Sequence, residues 1–222
     1  MKDWADAISA IARAAGEEIL SVYQRDFEVT EKADASPLTQ ADLAAHRCIV
    51  SRLPELGGDL PVLSEESADM AWSQRRAWSR YWLVDPLDGT REFLARNGEF
   101  CVSIGLIEAG RPVLGVLHGP ELGLTFAGGP GGAFRLNADG TREKIRARAA
   151  PEEGLTVFVS RSHRDQARIA TYLAGRKVAR TRVMGSALKL ALIAAGEADL
   201  YPRLGPTSEW DTAGGEAILV AA

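Results

Sequence analysis

The spacing of apolar residues predicts two helices at the start of the chain. Within residues 4–23 they recur every three or four positions, the period of an amphipathic helix, at Trp4, Ile8, Ile11, Ala15, Ile19 and Val22. After a polar stretch, a second helix is predicted from Thr39 or Gln40 to Leu53. Thr39 suits the N-cap and Asp42 the first turn, so both residues would stabilise the start of this helix.

Short apolar runs in the next part of the chain predict strands, and two of these strands lead directly into acidic residues. Residues 61–64 run into Glu65-Glu66, and residues 81–84 run into Asp85. The other strands of this region are predicted as two pairs: a hairpin of 101–107 with 112–118, and the segments on either side of the turn at 128–132.

Beyond residue 150 the pattern changes to alternating strands and helices, which is typical of an α/β unit. Strands are predicted at 156–160, 178–183 and 199–202, and helices at 164–174, 186–195 and 212–221. We therefore divide the chain into an N-terminal α+β unit of residues 1–150 and a C-terminal α/β unit of residues 151–222.

The composition is that of an ordinary globular protein and bears on location and partners. The 222 residues are 46% hydrophobic and 25% charged, with a net charge of −4, which argues against a nucleic-acid partner. Because no apolar stretch is long enough to span a bilayer and the N-terminus does not resemble a signal peptide, a cytoplasmic protein is expected, with peripheral inner-membrane association left open. Cys48 and Cys101 are expected to be free thiols, although they could form one disulfide. Whether the protein is a monomer or a homodimer stays open.

Residues 85–90, which follow the predicted strand 81–84, are the most informative segment for function. Asp85 ends the strand and Asp88 follows three positions later, so both carboxylates can converge on one small volume. The carbonyl group of Leu87 lies between them. Gly89 permits a tight turn, and Thr90 can open a helix whose amide groups would face a phosphate.

Each acidic residue also has an ordinary structural explanation. Asp85 and Asp88 could form a capped turn, Glu65 and its neighbour a solvated pair, and Asp211 a helix N-cap. Their joint occurrence favours a metal site. Oxygen ligands favour Mg²⁺ over zinc, and the three histidines of the chain lie far apart in sequence without the spacing of a zinc site.

Three segments together resemble the signature of the inositol monophosphatase superfamily: Leu63-Ser64-Glu65-Glu66, Asp85-Pro86-Leu87-Asp88-Gly89-Thr90 and Trp210-Asp211-Thr212-Ala213-Gly214-Gly215. The resemblance covers essentially the whole chain. Within the superfamily the chain looks most like the bacterial CysQ-type branch, the 3'(2'),5'-bisphosphate nucleotidases, through residues 81–84, 96–100, 160–163 and 200–207. It departs from the pattern at Ala187, where a second serine is usual, and at His118-Gly119-Pro120. Family members usually continue through another strand and loop, which leaves open a truncated C-terminal unit.

The resemblance implies a layered α-β-α-β-α sandwich of the inositol monophosphatase and fructose-1,6-bisphosphatase type. It implies hydrolysis of the 3'-phosphate of 3'-phosphoadenosine 5'-phosphate, an activity of sulfate assimilation, with sensitivity to Li⁺. Two Mg²⁺ ions would be bound, the first by Glu65, Asp85 and the Leu87 carbonyl and the second by Asp85, Asp88 and Asp211. Glu66 is a candidate ligand of a third ion.

The resemblance also assigns roles around the substrate. Asp42 would polarise the hydroxyl group of Thr90, which would take the proton of the attacking water, and the amide groups of Gly89 and Thr90 would bind phosphate oxygens. The candidates for contact with the rest of the nucleotide bisphosphate are Arg161, His163, Ser186, Lys189 and Arg203. The aromatic residues Trp72, Trp78 and Phe93 are interpreted as packing residues.

Two other functions stay open on the sequence. One is a relative that acts on a different phosphomonoester, either an inositol monophosphatase or a sugar bisphosphatase. The other is a non-catalytic, metal-binding regulatory relative. The complete ligand set and the pair of Asp42 and Thr90 favour an enzyme over the regulatory protein.

Overall fold

Helices and strands follow one another much as the hydrophobic pattern indicates. The computed structural model describes residues 2–25, 29–31, 37–67, 70–137, 139–161 and 166–222. The helices are α1 (Lys2–Tyr23), α2 (Gln40–Arg52), α3 (Trp72–Arg75), α4 (Thr90–Leu94), α5 (Gln166–Leu173), α6 (Leu188–Ala194) and α7 (Trp210–Ala221). The strands are β1 (Val29–Glu31), β2 (Pro37–Thr39), β3 (Val62–Ser64), β4 (Arg80–Asp88), β5 (Cys101–Glu108), β6 (Arg111–Gly119), β7 (Leu124–Gly129), β8 (Gly132–Leu136), β9 (Arg142–Ile145), β10 (Leu155–Val159) and β11 (Val178–Val183). Short 3₁₀ turns cover Leu53–Leu56 and Glu65–Ser67.

A seven-stranded mixed sheet forms the centre of the molecule, in the order β3-β4-β5-β6-β7-β8-β9. Strands β3 and β4 are parallel, and every later neighbour is antiparallel. Because β3 and β4 run in the same direction, their carboxyl ends meet at one edge of the sheet. The acidic residues that follow them, at 65–66 and at 85–88, are therefore brought close together.

Helices cover both faces of this sheet. Helices α1 and α2 pack on one face, where the largest apolar core contains Ile8, Ile19 and Ile49 with Trp82 and Val84 of β4. Helices α6 and α7 cover the other face, and their core also takes in Phe158 of β10, which pairs in parallel with β11. The layers of helix and sheet make an α/β sandwich, which confirms the predicted fold class.

Glycines allow α7 to lie unusually close to the sheet. A Cβ atom added at Gly115 would overlap the carbonyl group of Gly214, and one added at Gly128 would lie 2.5 Å from the Cα of Ile218. At Gly105 the same atom would lie 3.1 Å from the Cβ of Ala213. Any larger side chain at these positions would push the helix outward. Since Asp211 lies in the first turn of α7, this close packing also sets the position of its carboxylate.

Most of the predicted elements are confirmed, and the misses have local causes. The predicted strand 199–202 is wrong, because Leu200 makes only a single bridge to Val157. Trp72, interpreted as a packing residue, is 69% exposed on α3, whereas Phe93 is fully buried as expected. The pattern did not predict α3, the β1-β2 pair or β9. These elements are short and carry too few apolar residues to show a period.

The division into two units near residue 150 stays a prediction. The chain beyond that residue supplies the β10-β11 sheet, and it also supplies α7, which packs on strands β4 to β8. Both cysteines are free thiols, and Cys101 is buried. Among the residues that the structure describes, none of the helices has the length and apolar character needed to cross a membrane.

Candidate metal centre and adjoining cavity

Three carboxylates converge at the end of β4. One oxygen each of Asp85, Asp88 and Asp211 lie within 4.8 Å of one another. Asp85 is only 2% exposed, and Asp88 and Asp211 are half-buried at the wall of a cavity. The structure therefore brings together three of the predicted metal ligands from two distant parts of the chain.

A bulge in β4 places Asp85 and Asp88 on the same side. Along a regular strand, residues three apart point to opposite faces. Here Asp85 pairs with Ser103 and Asp88 pairs with Cys101, so the three steps on β4 match two steps on β5. The extra residue is a β-bulge, which redirects the side chain that follows it. The N–H of Leu87 donates to Oδ1 of Asp85 at 3.1 Å and stabilises this turn.

Asp211 reaches the same point from α7. The N-cap position of this helix belongs to Glu209, so the alternative interpretation of Asp211 as the N-cap is wrong. Oδ2 of Asp211 instead accepts from the N–H of Ser208 at 3.0 Å, and the hydroxyl of Ser103 donates to the carbonyl group of Trp210 at 3.3 Å. These two contacts fix the start of the helix against β5.

The electrostatics of the cluster favour a bound cation. Burial raises the pKa of Asp85 well above its usual range, and the charges of Asp88, Glu65 and Asp211 raise it further. Burial and the charge of Asp211 raise the pKa of Asp88 to about 7, against the opposing effects of the Lys189 ammonium and the Ala187 N–H. The pKa of Asp211 is also raised, mainly by burial. A divalent cation with oxygen ligands would remove this repulsion.

The 3₁₀ turn after β3 brings Glu65 to the cluster. Its side chain hydrogen-bonds to Asp85 and contributes to the raised pKa of that residue. Glu66 is the next residue of the turn and is half-buried. The carbonyl group of Leu87 lies within 3.4 Å of the hydroxyl of Thr90, on the way from Asp85 to α4. All the predicted ligands thus lie on segments that meet at this edge of the sheet.

Asp42 and Thr90 approach each other, as predicted for the pair. The hydroxyl of Thr90 is 3.4 Å from Oδ1 of Asp42. Oδ2 of Asp42 accepts from the N–H of Thr39 at 2.8 Å and from its hydroxyl at 2.6 Å, and Thr39 caps α2 by accepting from the N–H of Ala41. The helix-stabilising role of Asp42 and its contact with Thr90 are therefore compatible, because the two carboxylate oxygens are used separately.

A cavity of about 760 Å³ opens beside the carboxylates and extends towards basic residues. Its lining includes Asp88, Gly89 and Asp211, together with the predicted substrate residues Arg161, Ser186, Lys189 and Arg203. His163, the remaining predicted contact, lies outside the described residues. Acidic and basic residues therefore line the same cavity, and they lie close together: the charge of Lys189 lowers the pKa of Asp88, and the charge of Arg203 lowers the pKa of Asp211.

Lys189 and Arg203 are held by protein groups as well as lining the cavity. Lys189 is 2% exposed, and its Nζ donates to the carbonyl groups of Met184 at 3.1 Å and Ser186 at 2.5 Å, with the ring of Tyr201 at 4.7 Å. The guanidinium of Arg203 donates to Thr207, Ser160 and Pro206. Both were predicted as substrate contacts from the sequence, and this network of contacts with the protein was not predicted.

Two further residues at the site were given no role from the sequence. The thiol of Cys101 donates to Oδ2 of Asp88 at 3.8 Å, and the same oxygen accepts from the N–H of Ala187. The carboxylate of Glu99 lies beside Arg161 and Gly185. No pairing of position 101 with Asp88 was predicted, so no signal in the sequence pointed to Cys101, whereas Glu99 lies in the segment 96–100 through which the chain resembles the CysQ type.

Comparison with known proteins gives one family. The model of the inositol monophosphatase family matches residues 1–222. The 3'(2'),5'-bisphosphate nucleotidase CysQ of Salmonella typhimurium is 48% identical over 219 residues, which are 98% of this chain and 87% of that protein. The protein of the same name from Escherichia coli K12 is 46% identical over the same shares.

Solved structures agree with the sequence comparison. CysQ from Bacteroides thetaiotaomicron, described as a bacterial member of that family, superposes with a TM-score of 0.80 at 38% identity, over 97% of this chain and 86% of that one. An IMPase of Thermotoga maritima superposes with a TM-score of 0.80 at 27% identity, over 97% and 82% of the two chains.

Proposed function

The chain belongs to the inositol monophosphatase family, and from that premise we propose that it is a Mg²⁺-dependent 3'(2'),5'-bisphosphate nucleotidase. It removes the 3'-phosphate of 3'-phosphoadenosine 5'-phosphate and leaves AMP and inorganic phosphate. The observation that carries this proposal is the identity of 46–48% to curated nucleotidases over 98% of the chain. A cavity lined by metal-site carboxylates and by several cations suits a substrate that carries a second phosphate.

The carboxylate cluster supports the assignment of two metal sites. On this proposal Glu65, Asp85 and the Leu87 carbonyl hold one Mg²⁺, and Asp85, Asp88 and Asp211 hold a second, with Glu66 available to a third. The fit rests on the raised pKa values of Asp85, Asp88 and Asp211, since crowded carboxylates in a partly buried site need a compensating cation. Bound Mg²⁺ supplies acidification of a water and neutralisation of charge on the phosphate.

Asp42 and Thr90 are the proposed route for the proton of the attacking water. The hydroxyl of Thr90 accepts that proton and passes its own to Oδ1 of Asp42, 3.4 Å away. The bonds from Thr39 to Oδ2 hold the carboxylate in this orientation. General base catalysis of this kind contributes roughly 10²- to 10⁴-fold to a rate.

The start of α4 is the proposed binding site of the reacting phosphate. Gly89 precedes the helix with a φ of 95°, a conformation that a side chain would strain. The amide groups of Gly89 and Thr90 are then presented beside Asp88, where the phosphate oxygens would accept from them. Placing the phosphate here brings its ester bond next to the carboxylate cluster.

The basic residues that line the cavity are the proposed contacts for the rest of the nucleotide. Arg161, Ser186 and Arg203 contribute donors from its wall, and His163 is retained from the family pattern. Lys189 uses two of its three N–H donors on carbonyl groups, so it contributes positive charge and one remaining donor. We further propose that the protein acts in the cytoplasm on this small-molecule substrate, without a nucleic-acid partner.

A substrate panel tests the proposal. Phosphate release is measured from 3'-phosphoadenosine 5'-phosphate, inositol 1-phosphate and fructose 1,6-bisphosphate, each with Mg²⁺ and with excess EDTA. The highest kcat/KM is expected for the nucleotide, with activity lost in EDTA. A higher kcat/KM for either of the other two substrates would assign the protein to the inositol or sugar phosphatases. No release from any of them would favour a regulatory relative.

A further inference from the structure

The carboxylate of Glu99 joins two elements that line the cavity. Its Oε2 accepts a hydrogen bond from Nη2 of Arg161 at 2.5 Å and another from the backbone N–H of Gly185 at 2.8 Å. Arg161 follows β10, Gly185 precedes α6, and Glu99 lies between α4 and β5. Both partners belong to the cavity lining, which does not include Glu99. Glu99 is therefore placed to act through these two partners.

The position of Glu99 is fixed relative to Gly89, at the start of α4 where the reacting phosphate is proposed to bind. Its N–H donates to Oδ1 of Asn97 at 2.9 Å, which holds the chain in a tight turn. Its carbonyl group packs against Gly89, where an added Cβ atom would lie only 3.2 Å from the Glu99 oxygen. Because Gly89 directly follows Asp88, any partner of Glu99 is held at a set distance from the metal-site carboxylates.

Through its contact with Gly185, Glu99 is also connected to the turn 185–187 that precedes α6. Two residues later, the N–H of Ala187 donates to Oδ2 of Asp88. The intervening Ser186 has a φ of 48°, a left-handed conformation that is uncommon for serine. The turn 185–187 is thus held at both ends by carboxylates of the N-terminal half of the chain, Glu99 at one end and Asp88 at the other.

We propose that Glu99 is a positioning residue that fixes Arg161 and the turn 185–187 relative to the metal-site carboxylates and thereby sets the preference for a substrate with a second phosphate. This inference rests on the proposed function. A guanidinium carries five N–H donors, and the contact with Glu99 uses one of them. Held in this way, Arg161 loses less conformational freedom when it binds an anion. It also neutralises a carboxylate that would otherwise repel an anionic substrate.

The test compares two substrates in two variants of Glu99. Glu99→Gln keeps an oxygen that can accept from Gly185 but loses the charge that holds Arg161, and Glu99→Ala loses both contacts. For each protein, kcat/KM is measured for 3'-phosphoadenosine 5'-phosphate and for p-nitrophenyl phosphate, which has no second phosphate. We expect Glu99→Gln to lower the ratio of the two values about tenfold, which corresponds to about 1.4 kcal/mol, mainly through KM for the nucleotide. Glu99→Ala lowers it further.

A double-mutant cycle separates positioning from a general structural effect. If Glu99 acts through Arg161, the combined variant Glu99→Gln with Arg161→Gln has the same substrate ratio as Arg161→Gln alone. Glu143→Gln, on the exposed strand β9, is the matched control and keeps the ratio of the wild type. Thermal unfolding shows that each variant is folded. If Glu99→Ala unfolds, the two glutamine variants still complete the cycle.

The outcomes that overturn the inference differ from those that overturn the proposed function. A wild type that prefers the nucleotide, with a ratio that Glu99→Gln leaves intact, overturns the role of Glu99 alone. The role of Glu99 is also overturned if the substrate ratios of the two single variants combine additively in the double variant. A lower KM for the nucleotide in Glu99→Gln overturns it too, because the carboxylate would then only repel the substrate. A wild type without preference for the nucleotide overturns the proposed function, and the role of Glu99 with it.

Discussion

Replacing Asp88 by asparagine should stabilise the metal-free protein while it abolishes catalysis. The pKa of Asp88 is raised from 3.8 to about 7, mainly because the side chain is buried and lies near Asp211. A carboxyl group with a raised pKa binds its proton more tightly in the folded protein than in the unfolded chain. The folded state therefore loses stability as the pH rises from about 4 towards 7, and the loss is complete above 7.

The magnitude follows from the same pKa. At 1.36 kcal/mol per pKa unit, the difference between 3.8 and about 7 sets an upper limit of roughly 4 kcal/mol. Asp88 lines an open cavity and is only half-buried, so solvent screening reduces this, and we expect about 2 kcal/mol. For a domain of this size that is a rise in Tm of about 4–8 °C. Asparagine keeps the oxygen that accepts from Ala187 and removes the charge.

The assay is thermal unfolding in EDTA at pH 8, repeated at lower pH and with added Mg²⁺. The gain in Tm should be largest above pH 7 and should shrink as the pH falls towards 4, where the wild-type carboxyl is protonated in both states. Mg²⁺ should stabilise the wild type more than the variant, and turnover of the variant should fall far more than tenfold. Asp199→Asn is the matched control, because Arg148 lowers the pKa of Asp199 through two hydrogen bonds, so this change should lower Tm with or without Mg²⁺.

The prediction fails if Asp88→Asn melts below the wild type in EDTA at pH 8, or if Mg²⁺ stabilises both proteins equally. Either result would show that the charge of Asp88 is not crowded by the neighbouring carboxylates. Turnover within about tenfold of the wild type, roughly 1.4 kcal/mol of barrier, would remove Asp88 from the proposed metal ligands.

Three more outcomes are expected. Asp42→Asn should lower kcat about 100-fold or more, because Thr90 loses its proton acceptor. The Mg²⁺ concentration that gives half of the full activity should stay near that of the wild type. A shift of that concentration would indicate that Asp42 is a metal ligand instead. Millimolar Li⁺ should inhibit by taking the place of the Mg²⁺ proposed to bind Asp88 and Asp211, and equal rates in Li⁺, Na⁺ and K⁺ would contradict this. Lys189→Ala and Arg203→Ala should each reduce cleavage of the nucleotide about tenfold or more beyond any loss for a small monoester, because a charge-assisted hydrogen bond contributes roughly 1.5–3 kcal/mol. Equal losses on both substrates would show that these residues are structural.

The sequence was sufficient for those parts of the fold whose cause is local. The period of α1, the capping residues Thr39 and Asp42, and the hairpin of β5 and β6 each follow from neighbouring residues, and the structure confirms them. The short elements could not be predicted in this way. Helix α3 has four residues and exposes Trp72, and the segment around Leu200 forms an isolated bridge to Val157 and not a regular strand.

The geometry of the site depended on contacts between distant residues. The side to which Asp88 points is set by a bulge opposite Ser103 and Cys101, and the spacing of the two aspartates does not show it. Asp211 reaches the cluster because Gly214 packs against Gly115, a residue 99 positions earlier. Lys189 is polar by sequence and buried in the structure, because two carbonyl groups and the ring of Tyr201 surround its ammonium. Nothing in its local sequence distinguishes it from an exposed lysine.

The charged residues that line the cavity offer two ways of recognising phosphate. Beside Asp88 and Asp211 a phosphate would meet like charge, so it would bind there with cations between it and the protein. Arg161 and Arg203 carry guanidinium groups that can bind a phosphate directly. Removal of Mg²⁺ should therefore affect any phosphomonoester, whereas changes at the arginines should matter only when a second phosphate is present. On the proposed function, specificity and chemistry thus belong to different residues of one cavity, and Glu99 and the turn 185–187 connect them.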